Sequence, residues 1–294
     1  ETGRRTGTGT TGLGDTLVSL GLDYGSKQGI KTAEKIYRTL KLGCYRSSVD
    51  MAKELGPFKI WGYNLEKNNP FLLRIKEEDP ELYKDMRKYG RRNIGLLTSA
   101  PAGSVSILTQ TTSGIEPLFQ MEYKRRKKIN PSDKNTRVDF VDQNGDSWEE
   151  FTVYHSKVKM WMDVTGETDI TKSPWFGACA EDIDWKRRIQ MQAAAGRNLD
   201  HSISSTINLK EETTTEEVAD IYEAAWKAGL KGITVYRENS RTGVLIANDS
   251  NCIPRDADNI DKHDAPKRPK VLPCDIYHIS VKGQDYLTVV GLLS

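Results

Sequence analysis

A strand–helix–strand pattern near the C-terminal end constrains the fold more than any other feature of this sequence. Residues 204–209 and 231–236 have the composition of short strands. Between them lies a helical pattern that residues 213–217 cap and Gly229 ends. A strand, a helix and a strand in this order form a β-α-β unit, whose two strands pair in parallel. The pattern therefore predicts an α/β fold with a parallel sheet.

Helical patterns cover much of the remaining sequence. In each of them apolar residues recur at spacings of three and four, which is the period of one helix face. Gly56-Pro57 ends the longest pattern. Asp79-Pro80 interrupts another, and Asp79 is placed to cap the second of its two helices. The segments are residues 13–20, 26–55, 70–89, 154–164 and 185–195.

Three other segments have β character. Residues 93–99 are predicted to form a buried strand, which a turn at residues 101–103 ends before a helix or an extended run. Residues 138–151 are typical of a hairpin with Asn144-Gly145 as its turn. Residues 274–293 alternate between apolar and polar, which predicts a small hairpin or the start of a β-domain.

A polar stretch divides the chain. Residues 248–270 are rich in Asp, Asn, Pro and Lys and contain few apolar residues, which is typical of a linker. Both ends of the chain begin or stop abruptly, so we expect a piece of a longer protein. The predicted parts are a main domain at residues 1–245, a linker at 246–270 and a small β segment at 271–294.

The composition argues against several classes of function. The 294 residues carry a formal net charge of only +2, so no strong basic excess indicates a nucleic-acid binder. No apolar run reaches the length of a membrane span. The four cysteines form no C-x-x-C pair, which argues against a zinc site or a disulfide framework. Scattered cysteines fit a reducing compartment, and we expect the protein to be cytoplasmic.

The turn Pro101-Ala102-Gly103-Ser104-Val105-Ser106 is the first candidate for a binding site. Free backbone N–H groups and the hydroxyls of Ser104 and Ser106 are suited to holding a phosphate at a helix start. The competing interpretation is an ordinary strand-to-helix connection with serine caps, which the local composition favours. Both interpretations remain open on the residues alone.

Three further segments have both a functional and a structural interpretation. Glu116, held extended before Pro117, is suited to accepting a ligand hydroxyl, but satisfying nearby backbone donors is the favoured role. The basic run at residues 124–128 lacks interleaved aromatic residues, so a solvated loop is favoured over a nucleotide or nucleic-acid contact. The G-x-G-x-x-G at Gly7, Gly9 and Gly12 follows no strand, so we discount a dinucleotide site.

The cysteines lack the signals of an activated thiolate. Cys44 falls within the long helical pattern, where a buried, inert side chain is the favoured interpretation. Cys179 is predicted to lie in a loop, Cys252 in the linker and Cys274 at the edge of the last β segment. None has a neighbouring His or Asp pattern, so we assign no catalytic residue to this chain.

Several blocks, taken in order, resemble the catalytic subunit of ribonucleotide reductases. They extend over roughly the first 245 residues, and their order makes the resemblance specific where no single block would. The blocks are Arg4-Arg5-Thr6-Gly7-Thr8-Gly9 with Gly12-Leu13-Gly14-Asp15 and Tyr24-Gly25-Ser26; Ala100-Pro101-Ala102-Gly103-Ser104-Val105-Ser106 with Ser113-Gly114-Ile115-Glu116-Pro117; Asp200-His201-Ser202-Ile203-Ser204 with Thr206-Ile207-Asn208-Leu209; and Ala225-Trp226-Lys227-Ala228-Gly229-Leu230-Lys231-Gly232 with Tyr236-Arg237.

The resemblance implies the C-terminal portion of a ten-stranded α/β barrel. It also implies the reduction of ribonucleotides to 2′-deoxyribonucleotides through a thiyl radical. The family's substrate-phosphate loop falls on Ala102, Gly103, Ser104, Val105 and Ser106. Ala102 stands where threonine is common, which removes one hydroxyl contact but leaves the backbone donors.

The resemblance also indicates a cofactor. Family members that import a radical from another subunit carry two adjacent tyrosines, and the matching pair here is Val235-Tyr236. A single tyrosine cannot form that relay, so the chain looks like the adenosylcobalamin-dependent class, in which the cofactor generates the radical in place. Residues 268–293 also look similar to that class.

One essential family feature is missing from this sequence. The family's radical cysteine lies in an Asn-x-Cys-x-Glu loop, and Asn251-Cys252-Ile253 has the wrong spacing for it. The expected partners are therefore an N-terminal reductase fragment or chain, a ribonucleotide substrate and an external dithiol reductant, with no membrane or nucleic acid. The alternative is a non-catalytic nucleotide-binding or interaction module derived from a reductase. The sequence leaves the choice between diphosphate and triphosphate substrates open.

Overall fold

The computed structural model describes residues 2–129, 136–141, 146–238, 245–246, 274–281 and 284–291. The chain separates into two compact units, Glu1–Asn248 and Asp249–Ser294. The helices lie in the first unit: α1 (Leu13–Ser19), α2 (Lys27–Leu55), α3 (Tyr63–Glu66), α4 (Pro70–Glu78), α5 (Pro80–Tyr89), α6 (Gly103–Thr109), α7 (Ser156–Thr165), α8 (Trp185–Gly196) and α9 (Thr215–Lys227). The strands of that unit are β1 (Glu122–Lys128), β2 (Phe140–Val141), β3 (Ser147–Tyr154), β4 (Thr206–Leu209), β5 (Thr234–Arg237) and β6 (Leu245–Ile246).

Several helices begin where the sequence supplies a side-chain cap. The Asp79 carboxylate accepts a hydrogen bond from the Leu82 N–H at the start of α5, as predicted. The Thr214 hydroxyl does the same for the Glu217 N–H at the start of α9, and Ser26 caps α2 through the Gly29 N–H. Each cap satisfies an N–H group that otherwise has no partner within the helix.

The core of the first unit forms around α2. This helix packs against α8, α5 and α1. Its side chains Tyr37, Tyr45 and Val49 are at most 1% exposed, and Met191 and Ala195 of α8 are completely buried in the same cluster. Burying a large apolar side chain contributes about 1.5–3 kcal/mol relative to leaving it exposed. The packing therefore fixes α2 and α8 behind the extended segments that they support.

Four extended segments lie side by side in parallel. Isolated bridges join Thr8 to Leu97 and Ser99 to Ile203, and β4 pairs with β5 along its whole length. The segments are residues 3–9, 94–99, 201–209 and 234–238; we call them the parallel segments. The predicted β-α-β unit is confirmed, with Ile221 of α9 packed on Ile207 of β4. The strand predicted at residues 93–99 is only partly confirmed, because the segment is joined by isolated bridges at Leu97 and Ser99 and forms no continuous strand.

Close backbone approach explains the glycines of the first parallel segment. A Cβ atom at Gly9 would lie 2.3 Å from the carbonyl oxygen of Thr98, which is shorter than any van der Waals contact. Only glycine permits the two segments to come this close. The glycine-rich start is therefore explained by strand packing, which agrees with discounting a dinucleotide site there.

A second, antiparallel sheet has the strand order β2-β3-β1-β6. The predicted hairpin at residues 138–151 is confirmed by the pairing of β2 with β3, while its turn at Asn144-Gly145 lies outside the described residues. The prediction of a solvated loop at residues 124–128 is wrong, because these residues belong to β1 and pair with β3. Arg126 lies 2.7 Å from the Glu150 carboxylate across the strands. Such cross-strand ion pairs stabilise β1, although its run of charged residues is more typical of a loop.

In the second unit the described residues form a hairpin of β7 (Cys274–Val281) and β8 (Gln284–Gly291), which pair antiparallel. This confirms the β character predicted for residues 274–293. The predicted linker at residues 246–270 lies outside the described residues, except that Ile246 ends β6. No helix in the described part of the chain is long and apolar enough to span a membrane.

Candidate functional site

A cavity of about 1230 Å³ opens in the first unit towards the C-terminal ends of the parallel segments. We call it the large cavity. The residues that line it come from the turn before α6, the second sheet and the last two parallel segments, and they include Pro101, Glu116, His155, Thr206, Asn208 and Tyr236. Clefts at the carboxyl ends of parallel strands are the usual location of ligand sites in α/β folds.

The predicted phosphate loop lies at the edge of this cavity. Ala102 has the left-handed backbone conformation, with φ 44° and ψ 31°, and α6 begins at the next residue. Gly103, Ser104 and Val105 are exposed, whereas Ser106 is buried and lines the large cavity. The first N–H groups of a helix have no partner within it, so this turn presents backbone donors. The Ser106 hydroxyl is already used, because it donates to the Gly103 carbonyl at 2.8 Å.

Glu116 connects the wall of the cavity to α8. One of its carboxylate oxygens accepts the Thr206 N–H at 2.7 Å, which is the backbone role favoured on the sequence. The other oxygen pairs with the guanidinium of Arg188, whose side chain is 2% exposed. Arg188 also donates to the Thr206 carbonyl at 2.5 Å. The ion pair was not predicted, because the two residues are 72 positions apart.

Asp15 is the centre of a buried network on another side of the cavity. Its Oδ1 accepts from His155 Nε2 at 2.9 Å and from Trp175 Nε1 at 2.8 Å, and its Oδ2 accepts the Thr112 N–H at 2.7 Å. Burial by itself raises the pKa of Asp15, but the hydrogen bond and charge of His155, with the donors of Thr112 and Trp175, hold it below the usual value.

The network positions one side chain that the sequence did not single out. His155 lines the large cavity while its Nε2 is held by Asp15. A histidine fixed in this way presents its remaining ring atoms in a defined orientation. His155 and Asp15 are 140 positions apart, so the sequence alone did not indicate that they pair. In the sequence, Asp15 was noted only as part of the block Gly12-Leu13-Gly14-Asp15, which resembles the reductase family.

The thiols of Cys44 and Cys179 are not activated. Burial raises the pKa of Cys179 to about 12, and nearby Asp182 and Glu181 add to the shift. Burial likewise raises the pKa of Cys44, which packs against the core from α2. Cys252 lies outside the described residues. Across the part of the chain that the structure describes, no group of three or more His, Cys, Asp or Glu side chains is arranged to hold a metal ion.

A family model described as the ribonucleotide reductase barrel domain matches residues 1–236. The chain belongs to the ribonucleotide reductase family. The match includes the parallel segments as far as Tyr236, the phosphate-loop turn and the whole lining of the large cavity. The predicted membership of the family is therefore confirmed. The described residues contain no closed barrel, so the ten-stranded count stays a prediction.

The relatives are reductases longer than this chain. The chain is 29% identical over 250 residues to a vitamin B12-dependent ribonucleoside-diphosphate reductase of Mycobacterium tuberculosis, covering 83% of this chain and 32% of that protein. It is 28% identical over 252 residues to the enzyme of the same name from Thermoplasma acidophilum, covering 81% and 29%. It is 22% identical over 240 residues to a ribonucleoside-diphosphate reductase subunit alpha of Treponema pallidum, covering 81% and 25%. The chain thus spans about a third or less of each of these three proteins.

Proposed function

We propose that this chain supplies part of the catalytic region of an adenosylcobalamin-dependent ribonucleotide reductase. In this proposal the complete enzyme converts ribonucleotides to 2′-deoxyribonucleotides by thiyl-radical chemistry, and ribonucleoside diphosphates are the substrate class that the relatives' names suggest. The observation that carries the proposal is the large cavity, bordered by the phosphate-loop turn within residues matched to the reductase barrel domain.

The proposed role of residues 102–106 is to hold the substrate phosphate. Support comes from the exposed start of α6 and from the position of Ser106 in the lining of the cavity. Backbone N–H groups at a helix start attract an anion, and the helix dipole adds to that attraction. Because the Ser106 hydroxyl donates to the Gly103 carbonyl, we expect the backbone N–H groups of this turn to make most of the hydrogen bonds to the phosphate.

Adenosylcobalamin is the cofactor proposed, and it would generate the radical when bound. The chain offers apolar surface for such a large group, because Val105, Ile107 and Leu108 of α6 are 53%, 78% and 83% exposed beside the cavity. Val235 occupies the position where a second tyrosine would be needed for a relay from another subunit, and Tyr236 lines the cavity. These residues fit a cofactor that acts locally.

The remainder of the active site is proposed to come from another part of the reductase. The sequence contains no Asn-x-Cys-x-Glu motif, so the radical cysteine must be supplied from outside these residues. The proposed partners are the N-terminal reductase region, the nucleotide and an external dithiol. This chain alone is expected to be inactive.

Complementation tests the proposed function. We expect deoxyribonucleotide to form from CDP or CTP, with adenosylcobalamin and a dithiol, only when this chain is combined with a reductase N-terminal region that carries the Asn-x-Cys-x-Glu loop. The product is measured by chromatography. Omitting the cofactor or either polypeptide should abolish turnover. A mixture that binds nucleotide but never reduces it would support the alternative, a non-catalytic binding module derived from a reductase.

A charge substitution tests the phosphate loop separately. A Cβ atom at Gly103 meets no heavy atom within 4 Å, so Gly103→Asp fits without a clash. We expect its carboxylate to repel a phosphate and weaken CDP binding at least about tenfold, or 1.4 kcal/mol. Calorimetric titration measures the change. Gly103→Asn is the matched control of nearly equal shape and should retain most of the affinity; equal affinities of the two variants would contradict the assignment.

A further inference from the structure

A second cavity, of about 740 Å³, lies at the opposite ends of the parallel segments. We call it the basic cavity. Its lining includes Ile94-Gly95, residues 200–203 and residues 230–232, which lie at or just before the start of three parallel segments. The large cavity lies towards the other ends of these segments. Neither the resemblance nor the phosphate-loop proposal assigns a role to it.

The charges of the basic cavity are not balanced. Its lining contains five cationic side chains, Arg5, Arg74, Arg91, Arg197 and Lys231, and a single carboxylate, Asp200. The carboxylate oxygens of Asp200 already accept hydrogen bonds from the Tyr45 hydroxyl and from the N–H groups of Leu96 and Leu97, at 2.8–2.9 Å. One carboxylate cannot balance five cations, and none of the five cations lies within salt-bridge distance of Asp200 among the described residues.

Three of the five cations have no carboxylate partner among the described residues. Arg91 is paired with Glu66 at 2.6 Å and Arg197 with Glu34 at 3.3 Å. Lys231 donates only to the backbone carbonyls of Asp200 and His201, each at 2.7 Å. Arg74 and Arg5 form no ion pair in the part of the chain that the structure describes.

Buried polar atoms without hydrogen bonds concentrate in the same place. Of the four buried side-chain nitrogens that lack a partner in the described residues, three line the basic cavity: Arg74 Nε, Arg91 Nε and His201 Nε2. Leaving a buried donor unsatisfied costs about 1–3 kcal/mol. Burial lowers the pKa of Lys231, the charge of Asp200 opposes this shift, and the charge of Arg74 adds to it. An anion bound in this cavity would offer acceptors to the unpartnered guanidinium N–H groups and an opposite charge to Lys231.

We propose that the basic cavity binds a phosphate-bearing anion with at least two negative charges, such as a pyrophosphate group. The Arg74 guanidinium supplies a planar pair of donors and Lys231 supplies a compact charge, the combination that suits phosphate oxygens. This site is separate from the phosphate loop of residues 102–106 and does not depend on it.

Every measurement uses the Gly103→Asp variant, in which binding of phosphate to residues 102–106 is expected to be weakened. Any binding that remains is then assigned to the basic cavity. Pyrophosphate is titrated into this variant by calorimetry, and the imidazole signals of the four histidines are followed by NMR. We expect saturable binding that shifts the His201 signals, since His201 lines the basic cavity. Absence of both heat and a His201 shift would overturn the proposal, whatever the outcome for the substrate loop.

Paired variants locate the binding. Arg74→Gln in the same background should weaken pyrophosphate binding at least tenfold, whereas Lys76→Gln, an equal loss of charge on the exposed face of α4, should change it less than twofold. Arg5→Gln, at an exposed position on the rim, should weaken it to a smaller extent and provides a second test if Arg74→Gln fails to fold. Equal effects of Arg74→Gln and Lys76→Gln would show general charge attraction and refute the site.

Discussion

Replacing Glu116 by Gln is expected to lower the free energy of unfolding by about 3 kcal/mol. The substitution leaves the guanidinium of Arg188, 2% exposed, without its counter-charge, and Arg188 Nη1 already lacks a hydrogen-bond partner. The loss lies at the lower end of the range for buried ion pairs, because Glu116 itself is 27% exposed towards the cavity. Urea denaturation, analysed with a common slope, measures the change.

Two controls make this result specific to the ion pair. Glu77→Gln removes the same charge from an exposed position on α4 and should alter stability by less than about 0.5 kcal/mol. Combining Glu116→Gln with Arg188→Met removes both charges and should restore part of the loss, since no buried charge is then left unpaired. A loss below about 1 kcal/mol for Glu116→Gln would show that water reaches Arg188 in its place.

Local signals predicted the parts of the fold that depend on neighbouring residues. The caps at Asp79 and Thr214 and the β-α-β unit formed by β4, α9 and β5 follow from periodicity and capping chemistry within a few positions. Strand β1 was missed because its charges resemble those of a loop, and its stability depends on β3, which begins about twenty residues later.

The candidate site was predictable only in outline. The turn at residues 101–106 is visible as a motif, but the left-handed conformation of Ala102 is not, because alanine rarely adopts it. The use of the Ser106 hydroxyl within the turn depends on a rotamer that sequence does not specify. The side chains that shape the large cavity meet across 72 to 140 positions, as Glu116 with Arg188 and Asp15 with His155 do. Their pairing is set by the packing of the whole unit.

Replacing Asp15 by Asn is expected to destabilise the protein by about 2–3 kcal/mol at pH 7. Both oxygens of Asp15 accept hydrogen bonds, and the side chain is 7% exposed, so the amide nitrogen of Asn would face a donor in either orientation. The effect should exceed that of Asp50→Asn, an exposed matched control whose carboxylate is 58% accessible. Urea denaturation at pH 7 measures both variants.

The same pair of variants gives a pH signature. The pKa of Asp15 is lower in the folded protein than the value of about 3.9 expected when unfolded. The carboxylate therefore contributes its full stability above about pH 5, well above the unfolded pKa, and loses it as the pH falls through the folded pKa. We expect the gap in unfolding free energy between wild type and Asp15→Asn to narrow between pH 5 and pH 3, while the gap for Asp50→Asn stays small. A gap for Asp15→Asn that is constant over this range would contradict the ionised, triply hydrogen-bonded state of Asp15 that holds His155 at the cavity wall.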